Sequence, residues 1–226
     1  MTQVLAVAEP GGGAPVVEVG SALAEVLRAD LRTLSATRGQ LAAHRASEVL
    51  AELDTVDVVA AVLAAGPDED AVCWRVVRRA RKPVVLVPPD LGRPVAAVSR
   101  VLVPLDGTPA SAEAVADLVA LLAGAGVDIV VLHVFDATTA PMFWDQAAHT
   151  QQAWSAQFLS RHAPAGGRLE LRSGTPGELV GSVAEAEQAD LIALGWSQHL
   201  EPGRALTVRR SVLEAGRPVL LVPLKN

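Results

Sequence analysis

Val101-Leu102-Val103-Pro104-Leu105-Asp106-Gly107-Thr108 is the stretch on which the fold turns. Its apolar half runs without alternation, as in a strand buried on both faces. Thr108-Pro109-Ala110-Ser111 then supplies an N-cap and a proline at the first helical position, predicting a helix to about Gly124. Downstream, Val127-Asp128-Ile129-Val130-Val131-Leu132-His133-Val134 reads as a second strand. Thr175-Pro176-Gly177-Glu178 reads as a capping box that opens a helix to about Gln188. Ala189-Asp190-Leu191-Ile192-Ala193-Leu194-Gly195 and Pro218-Val219-Leu220-Leu221-Val222 are two further buried strands. Residues 98–226 therefore read β-α-β-α-β-α-β-α-β, the alternation of a parallel sheet covered by helices on both faces.

The same blocks occur once before. Val4-Leu5-Ala6-Val7-Ala8-Glu9-Pro10 echoes the opening stretch at an offset of 97 residues. Ala29-Asp30-Leu31-Arg32-Thr33-Leu34 parallels residues 127–132 at 98, and Val56-Asp57-Val58-Val59 parallels residues 189–192 at 133. Lys82-Pro83-Val84-Val85-Leu86-Val87-Pro88 parallels residues 217–223 at 135. Four blocks in the same order make a diverged tandem repeat. The jump in offset places a deletion of about 35 residues after the second strand of the first half. That half keeps four strands and three helices, so it lacks roughly one helix and one strand. The expected domains are 1–92, shortened, and 98–226, complete, with Pro88-Pro89-Asp90-Leu91-Gly92-Arg93-Pro94 between them, where prolines cannot continue a ladder.

Composition narrows the function. The 226 residues are 50% hydrophobic but 3% aromatic, so Ala, Val and Leu build the core. A net charge of −6 argues against nucleic acid as partner, since a polyanion binder carries a basic surplus. Cys73 is the only cysteine, which precludes an intramolecular disulfide and fits a reducing compartment. The start Met-Thr-Gln-Val carries no basic, apolar leader pattern, and no apolar run reaches the ~20 residues of a membrane span. A cytoplasmic protein with no membrane partner is expected.

The complete half resembles the universal stress protein family. The resemblance rests on residues 101–108, Val130-Val131-Leu132-His133-Val134, Gly174-Thr175-Pro176, residues 189–195 and residues 218–222, in order and at fitting spacing. The whole chain then looks like a tandem member whose first copy is degenerate. The resemblance implies two Rossmann-like α/β/α domains of the adenine nucleotide alpha hydrolase-like kind. It also implies that the halves pack as an internal pseudo-dimer, as single-domain relatives pair; a homodimer and an unidentified protein partner are further expectations.

Members that bind ATP follow the fourth strand with Gly, two residues, Gly, nine residues, then Gly and Ser or Thr. Backbone amides can approach phosphate only where no Cβ obstructs. Gly195 matches the first glycine, but the second position is Gln198 and the later pair falls on Val208 and Arg209. Gln198, His199 and Glu201 are expected to put bulk and negative charge where phosphate would sit. In the first half Glu9 and Pro10 replace Asp106 and Gly107, and Asp68-Glu69-Asp70 would repel a triphosphate. Gly11-Gly12-Gly13 has no following Lys-Ser/Thr and reads as a strand-to-helix turn.

The ligand cleft implied by the resemblance comprises Pro104, Asp106, Gly107, Thr108, His133 and Gly195. Asp106 either touches a ligand or orders the turn before the helix. The five histidines show no metal-binding spacing, and neither a nucleophile elbow nor a paired-carboxylate arrangement is present, so no metal and no catalytic residue are expected. No cofactor is expected; ATP or AMP is the alternative. Arg75, Arg78, Arg79 and Lys82, with Arg209 and Arg210, are either helix-end cations or a patch for phosphate or an acidic partner. Five of the seven aromatics, Phe135, Phe143, Trp144, Trp154 and Phe158, fall where the first half has its deletion. Phe143, Ala147, Trp154 and Phe158 share a helical stripe that suits core packing, a lid over a ligand or an interface. The expected function is stress adaptation by ligand or protein binding without conventional ATP binding; the alternative is an ATP- or AMP-binding member with slow ATPase activity.

Overall fold

The computed structural model describes residues 1–8, 13–35, 41–135, 148–162, 167–199 and 204–224. The first half contains β1 (Gln3–Ala8), α1 (Ala14–Leu27), β2 (Asp30–Ser35), α2 (Ala42–Leu53), β3 (Val58–Ala64), α3 (Val72–Val77) and β4 (Val84–Val87). The second contains β5 (Arg100–Pro104), α4 (Pro109–Gly124), β6 (Asp128–Phe135), α5 (Ala148–His162), β7 (Arg168–Ser173), α6 (Pro176–Ala186), β8 (Leu191–Trp196), α7 (Arg204–Glu214) and β9 (Val219–Pro223). Glu9, Pro10, Gly11, Gly12, Phe143, Trp144, Ala147 and Glu201 lie outside the described residues.

The apolar runs become strands in the order β2-β1-β3-β4-β9-β8-β5-β6-β7. Within each half every pairing is parallel. The two separate parallel sheets expected from the sequence are instead one mixed sheet, because β4 and β9 pair antiparallel. The reason lies in their composition: both strands are apolar on both faces and nearly fully buried, so neither can serve as a solvated edge. Setting β1, β2, β3 and β4 against β5, β6, β8 and β9 shows what the first half lacks, namely the counterparts of α5 and β7.

Alternate strand residues feed two cores, one on each face. Val84 and Leu86 join a layer with α2, α3, α6 and α7. Val85 and Val87 join the opposite layer with α1, α4 and α5. Each layer runs through both halves, with Trp74 and Trp196 fully buried in the first of them. Thr108 caps α4 through a hydrogen bond from the Ser111 amide, as its sequence predicts. Thr175 occupies the N-cap of α6 without a side-chain cap, and Glu178 pairs with Arg210 at 3.1 Å instead. A nearby cation thus outcompetes the local capping box.

Among the described residues, no helix is long and apolar enough to cross a membrane.

Candidate functional site

In the second half the strand order reverses at β5, which has β6 on one side and β8 on the other. Beyond the carboxyl ends of such strands an open α/β sheet leaves a crevice. A cavity of about 530 Å³ lies there, within the ~300–1,000 Å³ of small-molecule pockets. Pro104, Asp106, Gly107, His133 and Gly195 all line it. Thr108 stands behind the wall and holds Asp106.

Asp106 Oδ1 accepts hydrogen bonds from the Thr108 amide at 2.9 Å, the Thr108 hydroxyl at 2.7 Å and the Ser111 hydroxyl at 2.6 Å. The carboxylate therefore does order the turn into α4, while it also borders the cavity. Gly107 adopts φ +80°, and a Cβ on it would meet His133 Cε1 at 3.5 Å and Phe158 Cε2 at 3.7 Å. Here the left-handed backbone is what demands glycine. Gly195 has a different reason: a Cβ would sit 3.2 Å from the Ser111 carbonyl oxygen and 3.3 Å from Ala114 Cβ, so glycine lets α4 pack closely on β8.

The aromatic wall follows from two periodicities. His133 and Phe135 are two apart on β6 and share a face, whereas Trp154, Phe158 and His162 are four apart on α5 and share a stripe. The sets meet: His133 lies 4.7 Å from Phe158 and 5.7 Å from Trp154 between ring centroids, and Trp154 stacks on Phe158 at 5.1 Å. His133 Nδ1 is 2.8 Å from the Leu105 carbonyl. A carbonyl only accepts, so Nδ1 carries the proton and Nε2 is left as the ring's acceptor. Burial pushes the His133 pKa below its ordinary value, against the opposing pull of the Leu105 hydrogen bond and the Asp106 charge.

Ser111, Gln157, Arg161, His162, Thr207 and Val208 also line the cavity and were not singled out as site residues by sequence reasoning. His162 was detectable, since it continues the Trp154–Phe158 stripe by four residues. Among the described residues its Nδ1 is buried without a hydrogen-bond partner, an unmet polar group on a ligand-sized cavity.

The loop after β8 corrects one expectation. Gln198 is not among the residues that line the cleft; its Nε2 donates to the Ala80 carbonyl at 2.6 Å and the Val77 carbonyl at 3.3 Å, both in the first half. Trp196 Nε1 donates to the same Val77 carbonyl at 3.2 Å. Gln198 takes φ +66°, so the backbone keeps a conformation that favours glycine even though the residue is not one. His199 is exposed. Val208 is buried against the cavity, and Arg209 reaches Glu69 and the Pro67 carbonyl.

Most of the cations that read either as helix-end charges or as a basic patch are engaged by partners. Arg75 pairs with Asp70 at 2.7 Å, Arg78 with Glu69 at 3.6 Å, and Arg210 with Glu178. Lys82 Nζ donates to the Thr55 and Val58 carbonyls, both at 2.6 Å. Two of the three acids after β3 are therefore matched by arginines and do not form a free anionic cluster. Cys73 is buried, with its Sγ 3.2 Å from the Gly66 amide. Among the described residues, no group of three or more His, Cys, Asp or Glu side chains could hold a metal ion.

Comparison with solved structures identifies the same architecture elsewhere. A universal stress protein from Archaeoglobus fulgidus DSM 4304 superposes with a TM-score of 0.64 at 14% identity, over 99% of this chain and 97% of that one. A protein of unknown function from Pseudomonas aeruginosa PAO1 gives 0.59 at 15% identity, over 99% and 93%. These likenesses establish the fold. No curated protein matches the chain significantly in sequence. Residues 97–223, more than half of the chain and including the whole cleft, match the universal stress protein family, and the chain belongs to that family.

Proposed function

We propose that this protein serves stress adaptation by binding: the second-half cleft receives a small planar ligand, without a conventional ATP site and without catalytic residues. The observation that carries this reading is the ring-lined cavity, in which Trp154, Phe158 and His133 offer stacking faces beside Asp106. After β8 the sequence has Gln198 and Val208 at the positions where ATP-binding members carry the later glycines that bring amides to phosphate. Trp196 at the end of β8 and Gln198 in the loop are committed to the first half. An unidentified protein partner is the other candidate occupant, and a cytoplasmic location without nucleic acid or membrane contacts suits the charge and hydropathy pattern.

The test is to denature the purified protein and analyse the released small molecules by mass spectrometry, alongside melting curves with adenosine, AMP and ATP. No stoichiometric adenine nucleotide and no adenylate-dependent rise in Tm are expected. Stoichiometric ATP or AMP would overturn the reading.

A second reading, an ATP- or AMP-binding member with slow ATPase activity, is favoured by Asp106 at the strand-order reversal and by the retained left-handed backbone at Gln198. Labelled ATP bound by the wild type and lost in Asp106→Ala would select it.

A further inference from the structure

A second cavity, of about 630 Å³, lies at the seam between the halves. Its walls include Arg78, Arg79 and Arg81 from the first half with Gln198 and Leu224 from the second, so neither half builds it alone. Three cations within four residues run against a chain of net charge −6. Arg78 shares Glu69 with Arg209. Arg79 and Arg81 are exposed, and among the described residues their guanidinium groups form no hydrogen bond or ion pair. Among the described residues, Asp54 is the one carboxylate on the wall. Among the described residues the wall therefore carries a surplus of positive charge.

The turn bearing these arginines is also held in place. Gln198 and Trp196 bind the carbonyls of Val77 and Ala80, on either side of Arg78 and Arg79. A guanidinium offers paired donors that match phosphate oxygens, and fixing its backbone in advance lowers the cost of using them. We infer that the seam is a binding site for a small, multiply charged phosphate-bearing anion, clamped by Arg79 and Arg81 and separate from the ring-lined cleft.

The probe is inorganic pyrophosphate, titrated calorimetrically into the full chain at constant ionic strength set with potassium chloride. Saturable binding of one equivalent is expected, weakened at least about tenfold in the Arg79→Gln/Arg81→Gln double variant. Arg75→Gln/Arg210→Gln, whose partners are Asp70 and Glu178, is the charge-matched control and keeps wild-type affinity. Trp154→Ala, altered only in the cleft, also keeps it. Both seam arginines are exposed, and far-UV circular dichroism is the check that the seam double variant folds. Absence of saturable binding would overturn the inference, as would equal affinity in the double variant. Loss of binding in Trp154→Ala alone would assign the anion to the cleft. Binding of heparin or single-stranded DNA without any of pyrophosphate would assign the patch to a macromolecule.

Discussion

Val85 of β4 lies directly opposite Leu220 of β9, and the two occupy the same place in the repeated block. Around them the pairing is reciprocal. Val84 faces Leu221, the counterpart of Leu86, while Leu86 faces Val219, the counterpart of Val84. A pseudo-two-fold axis therefore passes through the Val85–Leu220 pair. The halves meet through an isologous contact of the kind that joins two identical subunits, here within one chain.

This seam predicts a single cooperative unfolding transition. Both core layers run through both halves, so neither half can open without exposing apolar surface of the other. Urea unfolding followed by tryptophan fluorescence and by far-UV circular dichroism should give coincident curves, since Trp74 and Trp196 lie in different halves but in the same layer. Two resolved steps would show that the halves unfold independently.

The seam also uses both copies of the pairing strand, leaving β2 and β7 as the sheet edges. Each edge carries charge: Asp30 and Arg32 on β2, Arg168, Glu170 and Arg172 on β7. Charged edges oppose strand-to-strand association. Sedimentation at micromolar concentration should therefore find a monomer of 23.4 kDa. A dimer whose interface protects β2 or β7 from hydrogen exchange would contradict this.

Much of the architecture was legible because repeat offsets and unbroken apolar runs survive divergence. The jump in offset located the missing counterparts of α5 and β7, and the strand ends brought Pro104, Asp106, Gly107, His133 and Gly195 to one cavity. What escaped depends on direction and on competition between partners. The bulk of Gln198 was visible, but its turn toward Val77 and Ala80 was not, because those acceptors are more than 100 residues away in sequence. Thr175 and Glu178 have capping-box spacing, yet Arg210, brought close by α7, takes the carboxylate. The antiparallel β4–β9 pairing follows from burial of two strand edges in the fold, which alternation along a single strand does not encode.

The two site glycines should differ in how substitution fails. Gly107→Ala forces a side chain into φ +80°, a strain of about 1–3 kcal/mol, although the new Cβ has room. Gly195→Val drives branched carbon into the Ser111 carbonyl and Ala114, an overpacking cost of about 1–3 kcal/mol or more. Urea midpoints should fall for both, and only Gly195→Val should shift α4 amide resonances away from the cleft. An unchanged midpoint for Gly195→Val would remove the close-approach argument.

His133 should make stability fall on acidification, and the sign follows from its burial. Unfolded, the imidazole titrates near 6.5; folded, its pKa is lower, first because burial penalises the charged ring and also because His162 lies nearby. As the pH drops the unfolded chain takes up the proton first, so stability present above 6.5 is lost as the pH falls toward the folded pKa, and levels off below it. His133→Gln keeps a donor for the Leu105 carbonyl and cannot titrate. Unfolding free energies at pH 7.5, 6.5 and 5.5 should therefore decline more steeply in the wild type than in His133→Gln. Parallel declines would place the acid sensitivity in other groups and leave the His133 ring free to accept a proton in the folded cleft.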